Sequence, residues 1–315
     1  MLIAKDDAVW VKRAAGVKTL GKTDQPIVEN TCFELASVSK EFTAAAVLQL
    51  VEKGKIGLND YMGKYFSNFP YTGITVQNLL AHTSGLPEYF DFKESWFPVG
   101  RLTTNQDVVD VLMKYKPQVQ FAPGTKYKYT NTNYALLALI VEKASGMKFE
   151  DYVRKNIFEP AGMSHSFYIT ERASKIGYSI AVGHKADRIP QEIKGLDGTF
   201  GDKGMYSTIN DLFAWKKAYF RDYKIISKEM TDAAISQQNN LKDNRIPSEL
   251  YGYGWHLEMS PCYGKLVYHG GLWHGYNHVL LYYPAQDVFM VFLSNYCNRA
   301  HRGQTAVVLH IICGA

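Results

Sequence analysis

Strand-forming sequence stands at both ends of this chain and helix-forming sequence in its middle, an arrangement with few compact solutions. Leu2 to Lys5 and Ala8 to Arg13 flank Asp6-Asp7 as a short hairpin, with Val9 and Val11 alternating against Trp10 and Lys12. Near the other end, Gly254 to Met259, Lys265 to His269, Asn277 to Tyr283 and Val288 to Ser294 read as strands separated by proline and glycine, and Asn298 to Ile312 as a closing helix. Between them the apolar spacing is helical. One helix runs on from Ser37 until Gly54 stops it, Thr75 starts a second, and Thr104 with Asp107 caps a third. Tyr134, Leu137, Ala138, Val141 and Ala144 share a further face closed by Gly146, and Thr208 with Asp211 caps one more helix. Ser174 to Gly204, of mixed polarity and with several glycines, reads as an irregular excursion. Two outer sets of strands need one sheet, so the expectation is an α/β (α+β) fold. Residues 1–54 and 205–315 form a sheet-containing lobe, 55–204 a mostly helical lobe, and the site lies in the cleft between them.

The 315 residues suffice for a sizeable core, and hydrophobic and charged contents of 46% and 21% are those of a globular protein. A net charge of +5, scattered and not clustered, argues against nucleic acid as a partner. No run of about eighteen apolar residues occurs that would span a membrane. Acidic residues fall within the first seven positions, without the apolar centre of an export signal, which leaves two locations open: cytoplasmic as written, or extracytoplasmic with a leader removed. Cys32, Cys262, Cys297 and Cys313 lack metal-site spacing and read as buried thiols, a disulfide being open but unsupported. The 22 tyrosines fit half-buried positions at least as well as a ligand cleft.

Ser37-Val38-Ser39-Lys40 puts a hydroxyl and an amine three residues apart at a helix start, on one face and within reach of each other. A serine attacks carbonyls only when a neighbour takes its proton, and a lysine serves when burial or nearby positive charge lowers its pKa. Ser37 is equally placed to be a simple helix cap, and Ser39 is the rival hydroxyl on another face. After the turn Phe121-Ala122-Pro123-Gly124 come Tyr129 and Asn131. A phenol of depressed pKa beside a lysine would shuttle a proton, and an amide would orient lysine and substrate together; the plain alternative is a packed tyrosine and a helix cap. His269, followed by Gly270, Gly271 and Leu272 at the end of a strand, offers charge or a hydrogen bond to the cleft, and the N–H groups after it could face an oxyanion; a loop histidine in a bulge is the alternative. His82-Thr83-Ser84-Gly85 supplies a second serine. No G-x-S-x-G elbow accompanies it, and a helix ending at Ala81 accounts for the turn. No metal-ligand spacing appears, so neither metal nor organic cofactor is expected.

In this order the blocks resemble the beta-lactamase and penicillin-binding superfamily, in its class C beta-lactamase, DD-peptidase and esterase branch. They are Phe33 to Lys40, Leu79 to Pro87, Pro123-Gly124 with Tyr129-Thr130-Asn131, Gly204 to Leu212 and His269 to Pro284, covering nearly the whole chain. The resemblance implies that Ser37 is acylated, that Lys40 and Tyr129 share proton transfer, and that Asn131 positions substrate and Lys40. It places the oxyanion on the N–H groups of Ser37 and Leu272, with His269 and Gly271 beside the substrate. It also implies an antiparallel sheet flanked by helices plus the helical lobe. His269-Gly270-Gly271 replaces the Lys-Thr-Gly usual in class C beta-lactamases, which weakens the grip on a substrate carboxylate. The helix usual before the first strand is absent from the sequence, as from a trimmed start. The expected activity is a serine hydrolase acting on a small ester, amide, beta-lactam or D-amino-acid peptide. A non-catalytic or slowly deacylating penicillin-binding sensor is the alternative, and the oligomeric state is left open.

Overall fold

A computed structural model describes residues 1–175, 177–185, 187–239 and 250–297. β1 (Leu2–Lys5) and β2 (Ala8–Lys12) form the N-terminal hairpin. Asp6 and Asp7 join them at φ of 48° and 62°, the left-handed conformation that a two-residue turn between right-twisted strands requires. β3 (Phe33–Glu34) leads through a 3-10 turn, Ala36–Val38, into α1 (Ser39–Glu52). The helices α2 (Val76–Leu80), α3 (Asn105–Tyr115), α4 (Asn131–Ser145), α5 (Phe149–Val153) and α6 (Glu159–Ala161) follow. Then come β4 (Phe167–Tyr168), β5 (Met205–Ser207), α7 (Ile209–Lys216) and α8 (Lys228–Ala234). The last strands are β6 (Leu250–Tyr251), β7 (His256–Ser260), β8 (Gly264–Trp273), β9 (Tyr276–Tyr283) and β10 (Val288–Phe292).

The two ends of the chain build one seven-stranded sheet in the order β2-β1-β10-β9-β8-β7-β6, every neighbouring pair antiparallel. β1 lies inside it, with Leu2 opposite Val291. A smaller sheet, β3-β5-β4, sits beside the start of α1. The helix caps fall where the sequence puts them. Thr75 and Asn78, and Thr104 and Asp107, form reciprocal capping boxes, while Gly146 ends α4 at φ 73°.

α1 is buried on nearly every side, which is why it carries apolar residues all round and not along one stripe. Ala44, Ala45 and Ala46 keep it slim where it packs on its neighbours, among them α4. Phe42 meets Trp215 of α7 with ring centroids 4.3 Å apart, a pair worth about 1 kcal/mol beyond its buried area. Among the described residues, no helix is long and apolar enough to cross a membrane.

Three expectations change, and a fourth falls outside the described residues. β8 does not stop at His269 but continues to Trp273, so Gly270 and Gly271 are strand residues and His269 is no loop histidine. β3, β4, β5 and β6 were not foreseen, because two or three residues show no periodicity. Cys32 is a buried free thiol and Cys297 a half-buried one, but Cys262 is exposed and disulfide-bonded. The closing helix expected over Asn298 to Ile312 lies outside the described residues.

Candidate active site

The turn from β3 into α1 sets the site. Ala36 takes φ 50°, a left-handed conformation that a residue with a Cβ adopts only under constraint, and it swings the next residue, Ser37, to the edge of the cleft. Three residues later Lys40 is fully buried. Its Nζ lies 3.0 Å from Ser37 Oγ, 2.8 Å from Asn131 Oδ1 and 3.0 Å from the Asp202 carbonyl oxygen. Burial brings the Lys40 ammonium down to about pKa 7, against the pull of Asp202 and Glu88, which favour the charged form.

These three contacts fix the lone pair of the neutral amine. Asn131 Oδ1 and the Asp202 carbonyl can only accept, so they consume the two N–H bonds of a neutral lysine. The third direction, toward Ser37 Oγ, is left for the lone pair. The deprotonated amine therefore faces the serine as an acceptor.

Asn131 opens α4, and the loop 201–204 reaches Lys40 because Thr43 Oγ1, one turn after the lysine, donates to the Gly201 carbonyl at 2.8 Å. Gly201 stands at φ 88°, and a Cβ there would come within 2.3 Å of the Tyr134 carbonyl, so this approach admits only glycine.

Tyr129 lies over Lys40, whose Nζ is 4.8 Å from the ring centroid. Its hydroxyl is buried and makes no well-formed hydrogen bond, although the Ser37 hydroxyl is near enough to favour the phenolate slightly. Burial outweighs that contact and holds the phenol well above its ordinary pKa. The depressed phenol expected from its basic neighbour is thus corrected: burial favours the neutral phenol at Tyr129.

His269 is buried beside them, with Nε2 3.2 Å from Tyr251 Oη and Nδ1 2.8 Å from the Gly270 carbonyl. A carbonyl only accepts, so Nδ1 carries the proton and Nε2 accepts from Tyr251. Burial, followed by the fields of His256 and Lys40, keeps the ring well below the usual histidine pKa. The ring offers no charge to the cleft, contrary to one of the two roles expected of it.

Gly271 packs against the turn before Ser37, where an added Cβ would sit 2.4 Å from the Leu35 carbonyl oxygen. Asn277, opposite Leu272, donates its N–H to the Ser294 carbonyl at 3.0 Å, away from β8. In an antiparallel ladder that makes Leu272 and Asn277 a non-hydrogen-bonded pair, so the Leu272 N–H points away from β9. On that side β7 covers β8 only up to Tyr268, which leaves the N–H directed to the open edge. Ser37, Tyr129, His269, Gly271 and Leu272 line one open cleft of about 460 Å³ together with His256, Tyr268 and His278. Gly271→Ala is expected to push the strand off the turn, slowing acylation of Ser37 by about a hundredfold and lowering stability by about 1–3 kcal/mol. Labelling rates and thermal melts check it, and wild-type labelling would refute the close-approach argument.

All seven residues singled out from the sequence therefore meet in one place. Ser39 does not: it is buried, its hydroxyl without a partner. Ser84 donates to Asn133 Oδ1 at 2.6 Å, not to a histidine, and His82 Nδ1 accepts the Thr130 N–H at 3.1 Å. Sequence reasoning missed Glu88, Asp202, Tyr251 and His256. For Asp202 a signal existed in the glycines bracketing Gly201-Asp202-Lys203-Gly204, the mark of backbone brought close to something.

An antiparallel sheet made from both chain ends, covered by helices, with a serine and lysine one turn apart in the cleft, defines the beta-lactamase/transpeptidase-like class of fold. The chain belongs to the beta-lactamase family, whose model matches residues 1–310. It is 37% identical over 284 residues to penicillin-binding protein 4* of Bacillus subtilis, covering 86% of this chain and 62% of that protein. It is 26% identical over 308 residues to protein flp of Staphylococcus aureus, covering 94% of this chain and 59% of the relative. The chain thus spans under two thirds of the length of these relatives. Among solved structures, the octameric penicillin-binding protein homologue of Pyrococcus abyssi superposes at a TM-score of 0.85 with 28% identity, over 98% of this chain and 72% of the other. A penicillin-binding protein of Bacillus halodurans gives 0.81 and 25%, over 98% and 94%.

Proposed function

We propose that the protein is a serine hydrolase working through an acyl-enzyme on Ser37, with a small ester, amide, beta-lactam or D-amino-acid peptide as substrate. The observation that carries this reading is the Lys40 amine, whose two N–H bonds are taken by the Asn131 and Asp202 oxygens while its lone pair faces Ser37 Oγ at 3.0 Å. Lys40 takes the hydroxyl proton as Oγ bonds to the substrate carbonyl carbon, and the N–H groups of Ser37 and Leu272 hold the resulting oxyanion. As the intermediate collapses, neutral Tyr129 protonates the leaving group and regains its proton from the Lys40 ammonium. Water then repeats the sequence on the acyl-enzyme, with Lys40 again as base. Asn131 orients both lysine and substrate, and His269 contributes packing and a hydrogen bond without charge.

Activity requires the unprotonated amine, so kcat/KM for a nitrophenyl ester should rise with pH through a midpoint of about 7 as Lys40 loses its proton. Incubation with a fluorophosphonate or a fluorescent penicillin should add mass at Ser37. Failure of both reagents on folded protein would count decisively against the acyl-enzyme. An adduct that forms and never clears, with no ester turnover, would instead favour the slowly deacylating sensor.

A further inference from the structure

We infer that Glu88 is a positioning residue, which locks the Asn131 side-chain amide so that its oxygen, and not its nitrogen, meets Lys40. The inference rests on the acyl-enzyme reading and adds a residue to it.

Glu88 Oε2 accepts the Asn131 backbone N–H at 2.7 Å and the Asn131 Nδ2–H at 3.0 Å, while Oε1 accepts the Phe90 N–H at 3.3 Å. A carboxylate only accepts, so it dictates which end of the amide it receives. With Nδ2 held by Glu88, Oδ1 has to face Lys40. Were the amide turned over, its oxygen would confront the carboxylate and its NH2 would donate to the neutral lysine. The lone pair would then be spent on Asn131, and Ser37 would lose its acceptor.

Glu88 is itself held firmly enough to act as a lock. On one side of it the Pro87 carbonyl accepts from Thr132 Oγ1 at 2.7 Å, and on the other the Tyr89 N–H donates to the same oxygen at 2.8 Å. Both neighbours of Glu88 are thus pinned to the residue after Asn131, in the first turn of α4. That turn also presents the positive end of a helix dipole to the carboxylate. The titratable groups around the pair are Asp202 and Lys40 facing Glu88, with Lys203, Glu34 and the three histidines His82, His256 and His269, which burial keeps below the usual histidine range, completing the ring around Lys40.

The test compares Glu88→Ala, Glu88→Gln, Asn131→Ala and the double Glu88→Ala/Asn131→Ala protein. Glu88→Ala should slow acylation of Ser37 by about a hundredfold, the typical result of misplacing a catalytic group by an ångström. Because Glu88 acts through Asn131, the double variant should be no slower than Asn131→Ala alone. Glu88→Gln offers an oxygen in place of Oε2 and should retain most of the rate. It lacks the negative charge that favours the Lys40 ammonium, so its acid limb should move to lower pH. A role in packing alone would make the two alanine effects multiply, and the lock requires Glu88→Gln to be faster than Glu88→Ala; multiplied effects, or equal rates in the two Glu88 variants, overturn the lock. In 1H–15N spectra the Asn131 side-chain amide should exchange slowly with solvent in wild type and fast in Glu88→Ala, with the other resonances reporting an intact fold. Equal exchange in both also overturns it. If wild type proves unreactive toward every reagent, the acyl-enzyme reading falls and amide exchange alone decides the lock.

Discussion

In the Lys40→Met protein, acylation of Ser37 is expected to fall by about 10²–10⁴-fold, the range for loss of a positioned base. Its stability relative to wild type should fall as pH rises. A lysine at about pKa 7 in the folded state and 10.5 unfolded binds fewer protons when folded anywhere between those values, so its burial penalty is complete below pH 7 and fades as pH rises to 10.5. Methionine therefore relieves about 5 kcal/mol at pH 6 but only about 1 kcal/mol at pH 10. Against this, the Asn131 and Asp202 oxygens lose their donor, at about 1–3 kcal/mol each. Together the two oxygens cost about 2–6 kcal/mol at either pH, so the balance moves against the variant by about 4 kcal/mol between pH 6 and pH 10. Melting curves should show the variant losing stability relative to wild type as pH rises from 6 to 10. A difference independent of pH would mean that Lys40 is not the buried, depressed amine described above, and wild-type labelling would remove it from catalysis.

Ser37→Ala should abolish covalent labelling and reduce ester turnover by on the order of 10³ or more, since among the described residues lining the cleft no other serine, threonine or cysteine is present. Ser39 cannot take over from its buried position. The Leu272 N–H and the cleft walls remain, so a non-reactive phosphonate should still bind, as competition against a fluorescent ligand would measure. Persistent labelling at the wild-type rate would place the nucleophile elsewhere.

Much of this was legible because it depends on local chemistry. Ser37 and Lys40 are one helical turn apart, and that spacing alone brings them together. Thr75, Thr104 and Gly146 mark helix ends by their own side-chain and backbone preferences. The extension of β8 past His269 was not legible: two glycines look like punctuation until the Leu35 carbonyl is seen pressing on Gly271. The phenol of Tyr129 was misjudged for a related reason. A neighbouring lysine can be read from the residues around it, whereas the depth of burial that outweighs that lysine is a property of the whole fold. Asp202 acts through its backbone oxygen, which carries no side-chain signature.

The pairing of β1 with β10 couples residues at opposite ends of the chain, Leu2 with Val291. During synthesis at about 5–20 residues per second, the first hairpin waits roughly 15–60 s before its partner strand exists. Through that interval one side of β1 has no ladder, and the main sheet cannot close until β10 has left the ribosome. Contacts this distant in sequence also carry a large loop-closure cost, which slows folding. The sheet that supplies Leu272 to the cleft therefore closes long after its first hairpin is made, and the nascent protein meets its surroundings with Ser37 made but its oxyanion strand not yet in place.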